Sequence, residues 1–463
     1  MTAFASYQSP FSWRYGSPEM RTIWGEENKR LLWRRLWVAM AEAQIEWELV
    51  TRAQVDDLKA HQSEVDVARS LAVEEKNHHD LMAEIKVYSA QCPLGGGVIH
   101  LGATSMDIKD NTEVLQTVQS LDIILSELKT LLLDLAAKVE AYVALPVMAF
   151  THLQPAEPTT LGYRLANFAQ DLLADYDSLL RVRGELKGKG FKGAVGNAAS
   201  YVMLYGGLEG QHRFEEAMSR SLGIPFFEVA TQTYSRKQDY TVLSILAGLA
   251  ATAYKFAFDL RLLQSEVIGE VGEPFETEQV GSSAMPFKRN PIESEKIDSL
   301  ARAVSVAPLT AWNNYASSLL ERTLDDSANR RTLFPETFLA VDEILISLTK
   351  IVAGLRVNEA VIQRNLGTYG PFAATERVLM AAVKAGADRQ EMHEVLRTLS
   401  MAAWQQIQSG QANPLIELVS QEDRITRWVK LADLKQLFAV EGYTGIAESQ
   451  ARQMVAGIRQ QMK

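Results

Sequence analysis

Sulfur chemistry is almost closed to this chain: of its 463 residues, only Cys92 is a cysteine. A single thiol makes neither an intrachain disulfide nor a cysteine metal cluster, and it fits a reducing compartment. Long hydrophobic runs are also scarce. The longest weakly polar stretch lies near residues 240–254, between Asp239 and Lys255, and is shorter than the roughly 20 residues a bilayer needs. Residues 1–20 lack a charged start followed by an apolar run, so no signal peptide is predicted. The expectation is a cytoplasmic protein with no membrane partner. Excess positive charge is missing too. The net charge is −10, which argues against a nucleic-acid partner. An anionic small molecule stays compatible, because a local Arg and Lys cluster focuses positive potential on an acidic protein. No His-Glu-x-x-His, Cys-x-x-Cys or phosphate-loop pattern occurs, so neither metal nor organic cofactor is expected. Internal repeats and strand–helix alternation are absent as well.

What is present is helix. Apolar content of 47% and charged content of 22% are ordinary for a folded chain, and the length suggests about two to four domains. Asp110 with Glu113 resembles a capping box in which Asp replaces Ser or Thr. Apolar residues then recur at helical spacing through Val114, Leu121, Leu128 and Leu135 to about residue 145, where Pro146 stops them. Further long helices are predicted over 161–186, 237–271 and 292–320, the last kinked at Pro308. Low-helix segments fall at 93–104, 187–200 and 272–291. From about 357 to 463 the helices read as shorter and more polar, as a separate domain. The mean globular helix is only about 11–12 residues, so helices of this length imply an all-α fold with a long central bundle. Their apolar residues occupy more than one stripe, which makes a homo-oligomer the expected way to bury the excess. The expected division is 1–107, 108–357 and 358–463.

Three segments can carry chemistry. Gly281-Ser282-Ser283-Ala284-Met285-Pro286-Phe287-Lys288-Arg289-Asn290-Pro291 is a mobile, hydrogen-bonding, basic loop leading into a helix whose N-terminus favours anions. By itself a Gly-Ser-Ser loop is more often a surface cap. Thr151-His152-Leu153-Gln154-Pro155-Ala156-Glu157-Pro158 is a proline-punctuated turn before a helix, where a lone His is more often structural. His100-Leu101-Gly102-Ala103-Thr104-Ser105 places hydroxyls at a loop-to-helix junction, good donors to an anion but also ordinary caps.

Taken together, these segments resemble the fumarase/aspartase superfamily. Its signature loop, Gly-Ser-Ser-x-Met-Pro-x-Lys-x-Asn, matches at every fixed position, and the second and third segments resemble its Thr-His-x-Gln-Pro-Ala and Thr-Ser elements. Four further stretches resemble the adenylosuccinate lyase branch: Arg14-Tyr15-Gly16-Ser17-Pro18-Glu19-Met20, His79-Asp80, Gln232-Thr233-Tyr234-Ser235-Arg236, and Arg322-Thr323-Leu324-Asp325-Asp326-Ser327-Ala328-Asn329-Arg330-Arg331. The resemblance covers nearly the whole chain. It departs at His78, where the family more often has Arg, which makes one cation pH-dependent. Lys296 stands where relatives can have Arg, and keeps the charge without the bidentate fork.

The resemblance implies a three-domain fold and a homotetramer whose active sites draw on three subunits. It also implies β-elimination of fumarate from adenylosuccinate, giving AMP, and from the succinylated aminoimidazole carboxamide ribotide of purine biosynthesis. Ser282 would be the base, with Ser283 the alternative, and His152 the acid that protonates the leaving nitrogen. Glu295 would pair with His152, and Lys288 and Asn290 would hold a carboxylate. Arg14, Tyr15, His78, His79, Asp80, Thr104, Ser105, Gln232, Lys296, Arg322, Ser327 and Arg331 would bind substrate. A turn at Asp325-Asp326-Ser327 would bring Arg322 and Arg331 to one oxyanion. The competing readings are another fumarate-releasing lyase, such as one acting on argininosuccinate, and a silent scaffold of the same fold.

Overall fold

Helical periodicity over most of the chain becomes helix in space, and the all-α expectation holds. The computed structural model describes residues 5–276, 278–439 and 442–463. In chain order its helices begin with α1 (Pro18–Ile23), α2 (Glu26–Gln44), α3 (Arg52–His61), α4 (Val67–Asn77), α5 (Asp80–Gln91) and α6 (Ser105–Ala141). A hairpin of β1 (Pro146–Thr151) and β2 (Gln154–Thr160) precedes α7 (Leu161–Glu185), α8 (Ala199–Leu204), α9 (Leu208–Leu222) and α10 (Lys237–Gln264). After β3 (Val271–Gly272) come α11 (Ile292–Ser305), α12 (Ala307–Ala316), α13 (Asp325–Ala353) and β4 (Arg356–Val357). The chain closes with α14 (Glu359–Lys384), α15 (Arg389–Gln408), α16 (Leu415–Gln421), α17 (Asp423–Thr426), α18 (Leu431–Phe438) and α19 (Ala447–Gln461).

Several expected boundaries move, each for a physical reason. Helix α6 opens at Ser105 rather than at Asp110. Its start is closed by the Asp107 carboxylate, which accepts from the Thr104 N–H at 3.0 Å, while Asp110 is buried inside the helix. The predicted 292–320 helix is divided into α11 and α12, with Pro308 in the first turn of α12, where its missing N–H costs nothing. Helix α10 ends at Gln264, short of residue 271. It extends beyond the apolar stretch 240–254 and is long and apolar enough, by length and composition, to cross a membrane. One of its faces, including Leu243, Leu246, Leu249 and Ala253, is nevertheless buried against protein. After residue 357 the helices do not shorten at once, since α14 runs for 26 residues with Pro371 inside it.

The chain divides into two compact units. Unit 1 comprises residues up to 128, 175–253 and 299–346. In it α2 buries Trp33, Leu36, Trp37 and Met40. The same helix carries Arg30 and Arg34 inward, where buried Glu84 pairs with Arg34 at 2.7 Å and with Arg30 at 3.4 Å. His100 accepts at Nδ1 from the Trp37 indole at 3.1 Å, and burial lowers its pKa to about 4. It is therefore a neutral structural histidine. The N-terminal turn is pinned to α13. Gly16 N–H donates to Glu343 at 2.9 Å, and Ser17 N–H donates to Asp342. Gly16 has φ +79°, and a Cβ there would lie 2.6 Å from Leu339, so only glycine serves.

Unit 2 comprises 129–174, 254–298 and 347–463. Its C-terminal core gathers Val378, Met392, Leu396, Leu415, Val419 and Leu434 from α14, α15, α16 and α18. The β1–β2 hairpin packs on α14.

Within unit 1, Glu127 lies among carboxylates. Burial, with Asp342, Glu19 and Glu343 around it, raises its pKa to about 9. Between the ordinary carboxylate value, about 4.3, and that point, the folded chain keeps a proton that the unfolded chain gives up. Stability contributed by this group therefore falls as pH rises through the window. Glu127→Gln keeps a hydrogen-bond donor toward Asp342 without the titration. Urea denaturation at stepped pH should show a flatter loss of stability for the variant between about pH 5 and 9, by up to about 1.4 kcal/mol per pH unit.

Candidate active site

A cavity of about 460 Å³ in unit 1 brings together many of the residues singled out in the sequence. His78, His79 and Asp80 reach it from the α4–α5 junction, Thr104 and Ser105 from the start of α6, Gln232 from the segment before α10, and Arg322, Ser327 and Arg331 from around the start of α13. The junctions explain the placement. His78 ends α4 with a left-handed φ of 56°, so the chain turns sharply and His79 caps α5, its Nδ1 accepting from the Met82 N–H at 3.3 Å. A neutral His79 therefore carries its proton on Nε2, which faces Ser105 Oγ at 3.3 Å. Asp80 is buried and receives Lys109 at 2.8 Å and Arg331 at 3.0 Å. Burial opposes its charge, but Lys109, the Leu81 N–H and Arg331 hold its carboxyl well below the usual range.

The cavity rests on a buried ionic network. Arg236 donates to Asp326 at 2.8 Å and to Asp110 at 3.0 Å. Arg330 pairs with Glu113 and Asp239, and Tyr234 donates from its hydroxyl to Asp239 at 2.7 Å and from its N–H to Asp110 at 2.9 Å. Burial disfavours the charge on Glu113, yet Arg330 and Arg236 keep its carboxyl well below the usual range. Arg322 pairs with Asp326 at 3.1 Å. The expected turn at Asp325-Asp326-Ser327 is instead the first turn of α13. Arg322 and Arg331 share the cavity, but each is held by its own carboxylate, Asp326 or Asp80. Arg14 and Tyr15 are not among the lining residues. The exposed Arg14 guanidinium lies 5.7 Å from the Tyr15 ring. Trp24, Trp33, Lys109, Gln116 and Arg330 line the cavity without having been picked out as binding residues. Their signal was weak, because polar residues one turn apart on a helix also describe a solvated face.

Unit 2 holds the other candidates. His152 is not in a simple turn before a helix. It forms, with Leu153, the two-residue tip of the β1–β2 hairpin, closed by Thr151 opposite Gln154. The prolines at 155 and 158 disguised the strand, but a two-stranded ribbon has only edges, where proline is tolerated. Both tip residues have positive φ, 54° and 61°, a conformation for which Asn-Gly would be the relaxed choice. The strain presents an exposed imidazole that, among the described residues, has no hydrogen-bond or ion-pair partner. Arg164 anchors the ribbon by donating to Met148 O at 2.7 Å and pairing with buried Glu270 at 3.3 Å.

The loop 281–291 is closed at its base. Asn290 donates to Gly281 O at 2.8 Å, and a Cβ on Gly281 would lie 1.8 Å from Lys288 O. Ser282 Oγ accepts from the N–H groups of Ala284 at 3.3 Å and Met285 at 3.1 Å. Ser283 and Lys288 are exposed. The N-terminus of α11 does not wait for a ligand anion, as the sequence suggested. The Glu273 carboxylate already accepts from Glu293 N–H at 3.2 Å and from Ser294 N–H at 2.5 Å. Lys296 pairs with Glu293 at 2.8 Å. Glu295 faces Arg261 at 3.7 Å.

Comparisons with known proteins agree along the chain. Residues 18–305 match a family model described as lyase, and residues 371–454 match one described as adenylosuccinate lyase C-terminus. An adenylosuccinate lyase of Schistosoma mansoni is 40% identical, with 90% of this chain and 88% of that protein covered. One of Saccharomyces cerevisiae is 39% identical over 91% and 89%, and one of Pyrococcus horikoshii 33% identical over 96% and 97%. Among solved structures, a 3-carboxy-cis,cis-muconate lactonizing enzyme from Pseudomonas putida superposes with TM-score 0.87 at 23% identity, over 98% of this chain and 99% of that one. A fumarate lyase from Mesorhizobium sp. BNC1 gives 0.84 at 22%, over 98% and 100%. At those identities the solved structures speak for the fold alone.

The network under the cavity should be costly to break. Arg236→Met leaves Asp110 and Asp326 short of a partner in the interior and should lose about 3–5 kcal/mol in urea denaturation. Arg331→Met removes a cation whose side chain is 51% exposed and should lose less than about 1 kcal/mol.

Proposed function

The chain belongs to the adenylosuccinate lyases, carbon–nitrogen lyases of the fumarase/aspartase fold, and from that premise we propose how its side chains divide the reaction. The observation that carries the proposal is the unit 1 cavity, where His79, Thr104, Ser105, Gln232, Arg322, Ser327 and Arg331 converge. Its volume of about 460 Å³ lies within the range of small-molecule sites. Hydroxyls and guanidinium groups suit a ligand that carries a phosphate and two carboxylates. The substrates proposed are adenylosuccinate and the succinylated aminoimidazole carboxamide ribotide, the second in purine biosynthesis.

Ser282 takes a proton from the succinyl carbon next to a carboxylate. The released electron pair moves into that carboxylate, giving an aci form that Lys288 and Asn290 stabilise. The carbon–nitrogen bond then breaks, its electrons leave with the nitrogen, and His152 donates a proton there. The products are fumarate and AMP, or fumarate and the corresponding carboxamide ribotide. A serine hydroxyl is a poor base in water. The two N–H groups aimed at Ser282 Oγ favour its deprotonated form, as an oxyanion hole does. Closure of the loop over the substrate would add water exclusion.

His152, without a partner among the described residues, and a Glu295 occupied with Arg261 fit a site completed by other copies of the chain, so a homotetramer with shared active sites is part of the proposal. There Glu295 of one copy would meet His152 of another, and Arg14 and Tyr15 would join the site by the same route. The three-part division at residues 107 and 357 and cytoplasmic residence belong to the same reading. The latter is supported by a single buried thiol, Cys92.

Ser283 supports a second reading of the base. Its hydroxyl is exposed and unpartnered among the described residues, whereas Ser282 Oγ is engaged in the turn. Following fumarate release by ultraviolet absorbance separates the two. Ser282→Ala should lower kcat by about 10²–10⁴, and Ser283→Ala by less than about tenfold. The reverse order would move the base to Ser283, and two fully active variants would sink the serine-base mechanism.

A further inference from the structure

We propose that Lys109 is an oxyanion-binding residue of the unit 1 cavity, acting with Arg331, and that Asp80 positions both cations rather than touching the substrate. The proposal rests on the reading of this cavity as the nucleotide-succinate site. A count of charge leads to it. Along the cavity wall and behind it, Arg236, Arg322 and Arg330 are matched in charge by Asp110, Glu113, Asp239 and Asp326, three cations against four carboxylates. Lys29 shares the Glu26 carboxylate with Arg30, which lies behind the wall, and Glu74 adds a further negative group to the wall. Among the residues that line the cavity, the balance reverses around Asp80. A single oxygen, Oδ2, receives both Lys109 and Arg331, which leaves one positive charge in excess.

The geometry of Lys109 suits that role. It follows Ser105 by one helical turn on α6, so the two side chains share a face, and Ser105 Oγ is in contact with His79 Nε2. An ammonium has three donors, and Asp80 takes one. The Lys109 side chain is 19% exposed, and a charge in such a partly desolvated position attracts an anion more strongly than one in open water. Asp80 itself would repel an anionic ligand. Bonded to both cations, it fixes where they point.

The anion is a phosphate or a carboxylate of the substrate, and two products tell them apart, since AMP carries only the phosphate and fumarate only carboxylates. Steady-state kinetics and isothermal titration calorimetry with AMP and with fumarate should be run on the wild-type chain, Lys109→Met and Lys109→Arg. Lys109→Met should raise KM for adenylosuccinate about tenfold or more, with kcat within about threefold, as expected for loss of a charged hydrogen bond. Lys109→Arg should stay near wild type. Weakening confined to AMP assigns the phosphate, and weakening confined to fumarate assigns a carboxylate. The proposal is overturned if Lys109→Met leaves KM and both product affinities within about twofold of wild type, or if its defect appears only in kcat or in thermal stability. A wild-type chain that binds neither product and releases no fumarate would overturn the reading of the cavity itself, and this proposal with it.

Discussion

Asp107 and Asp110 lie fully buried in the first turns of α6, with Glu113 one turn further on, and charge withdrawn from water has to be met by opposite charge or by hydrogen bonds. Each of these carboxylates fetches a different part of unit 1. Asp107 takes the buried Lys189, the Tyr201 hydroxyl at 3.0 Å and the Gly193 N–H at 3.2 Å. Asp110 takes Arg236 and the Tyr234 N–H. Glu113 takes Arg330 from α13. The glycine-rich segment, the stretch before α10 and the start of α13 thus converge on one helix end. The hydroxyls of Thr104 and Ser105 stand at that end. The site is held by ionic pairing, while apolar packing supplies the bulk of the core.

Unit 2 solves a different problem, which is to hold candidate reactive groups on a strained hairpin tip and an exposed loop without losing their place. The hairpin that carries His152 is tied through Arg164 to Glu270, and Asn365 of α14 donates to the same carboxylate at 3.0 Å. A few residues on, Glu273 caps α11 and its carbonyl accepts from Arg356 at 2.5 Å. Both candidate catalytic segments are therefore anchored within a few residues of each other, and only their tips are free. The positive φ at His152 and Leu153 is tolerable because the ribbon on either side is fixed.

The sequence was legible where chemistry and local backbone demands coincide. Gly281 and Asn290 are needed to close a loop within a few residues of themselves, so a motif can announce them. Thr104 and Ser105 are readable as a helix start for the same reason. Asp110 with Glu113 misled, because a capping box and a pair of acids engaged in ion pairs look alike until their partners, far along the chain at Arg236 and Arg330, are known. The β-strands around His152 were hidden by prolines that an edge ribbon accepts. Lys109 looked like any lysine on a helix face.

By itself, then, the sequence determined the helical class, because spacing along a helix is a local property, while its resemblance to the fumarase/aspartase superfamily pointed to the candidate loop and to most of the polar groups around the cavity. Tertiary structure decided which of those groups are spent and which are free. Arg236 and Arg330 are consumed by buried carboxylates, Glu273 occupies the helix end that seemed open to an anion, and two cations crowd onto one oxygen of Asp80. Pairing of charge across more than a hundred residues of chain leaves no periodic trace, and only the packed structure reveals where a net charge is left over.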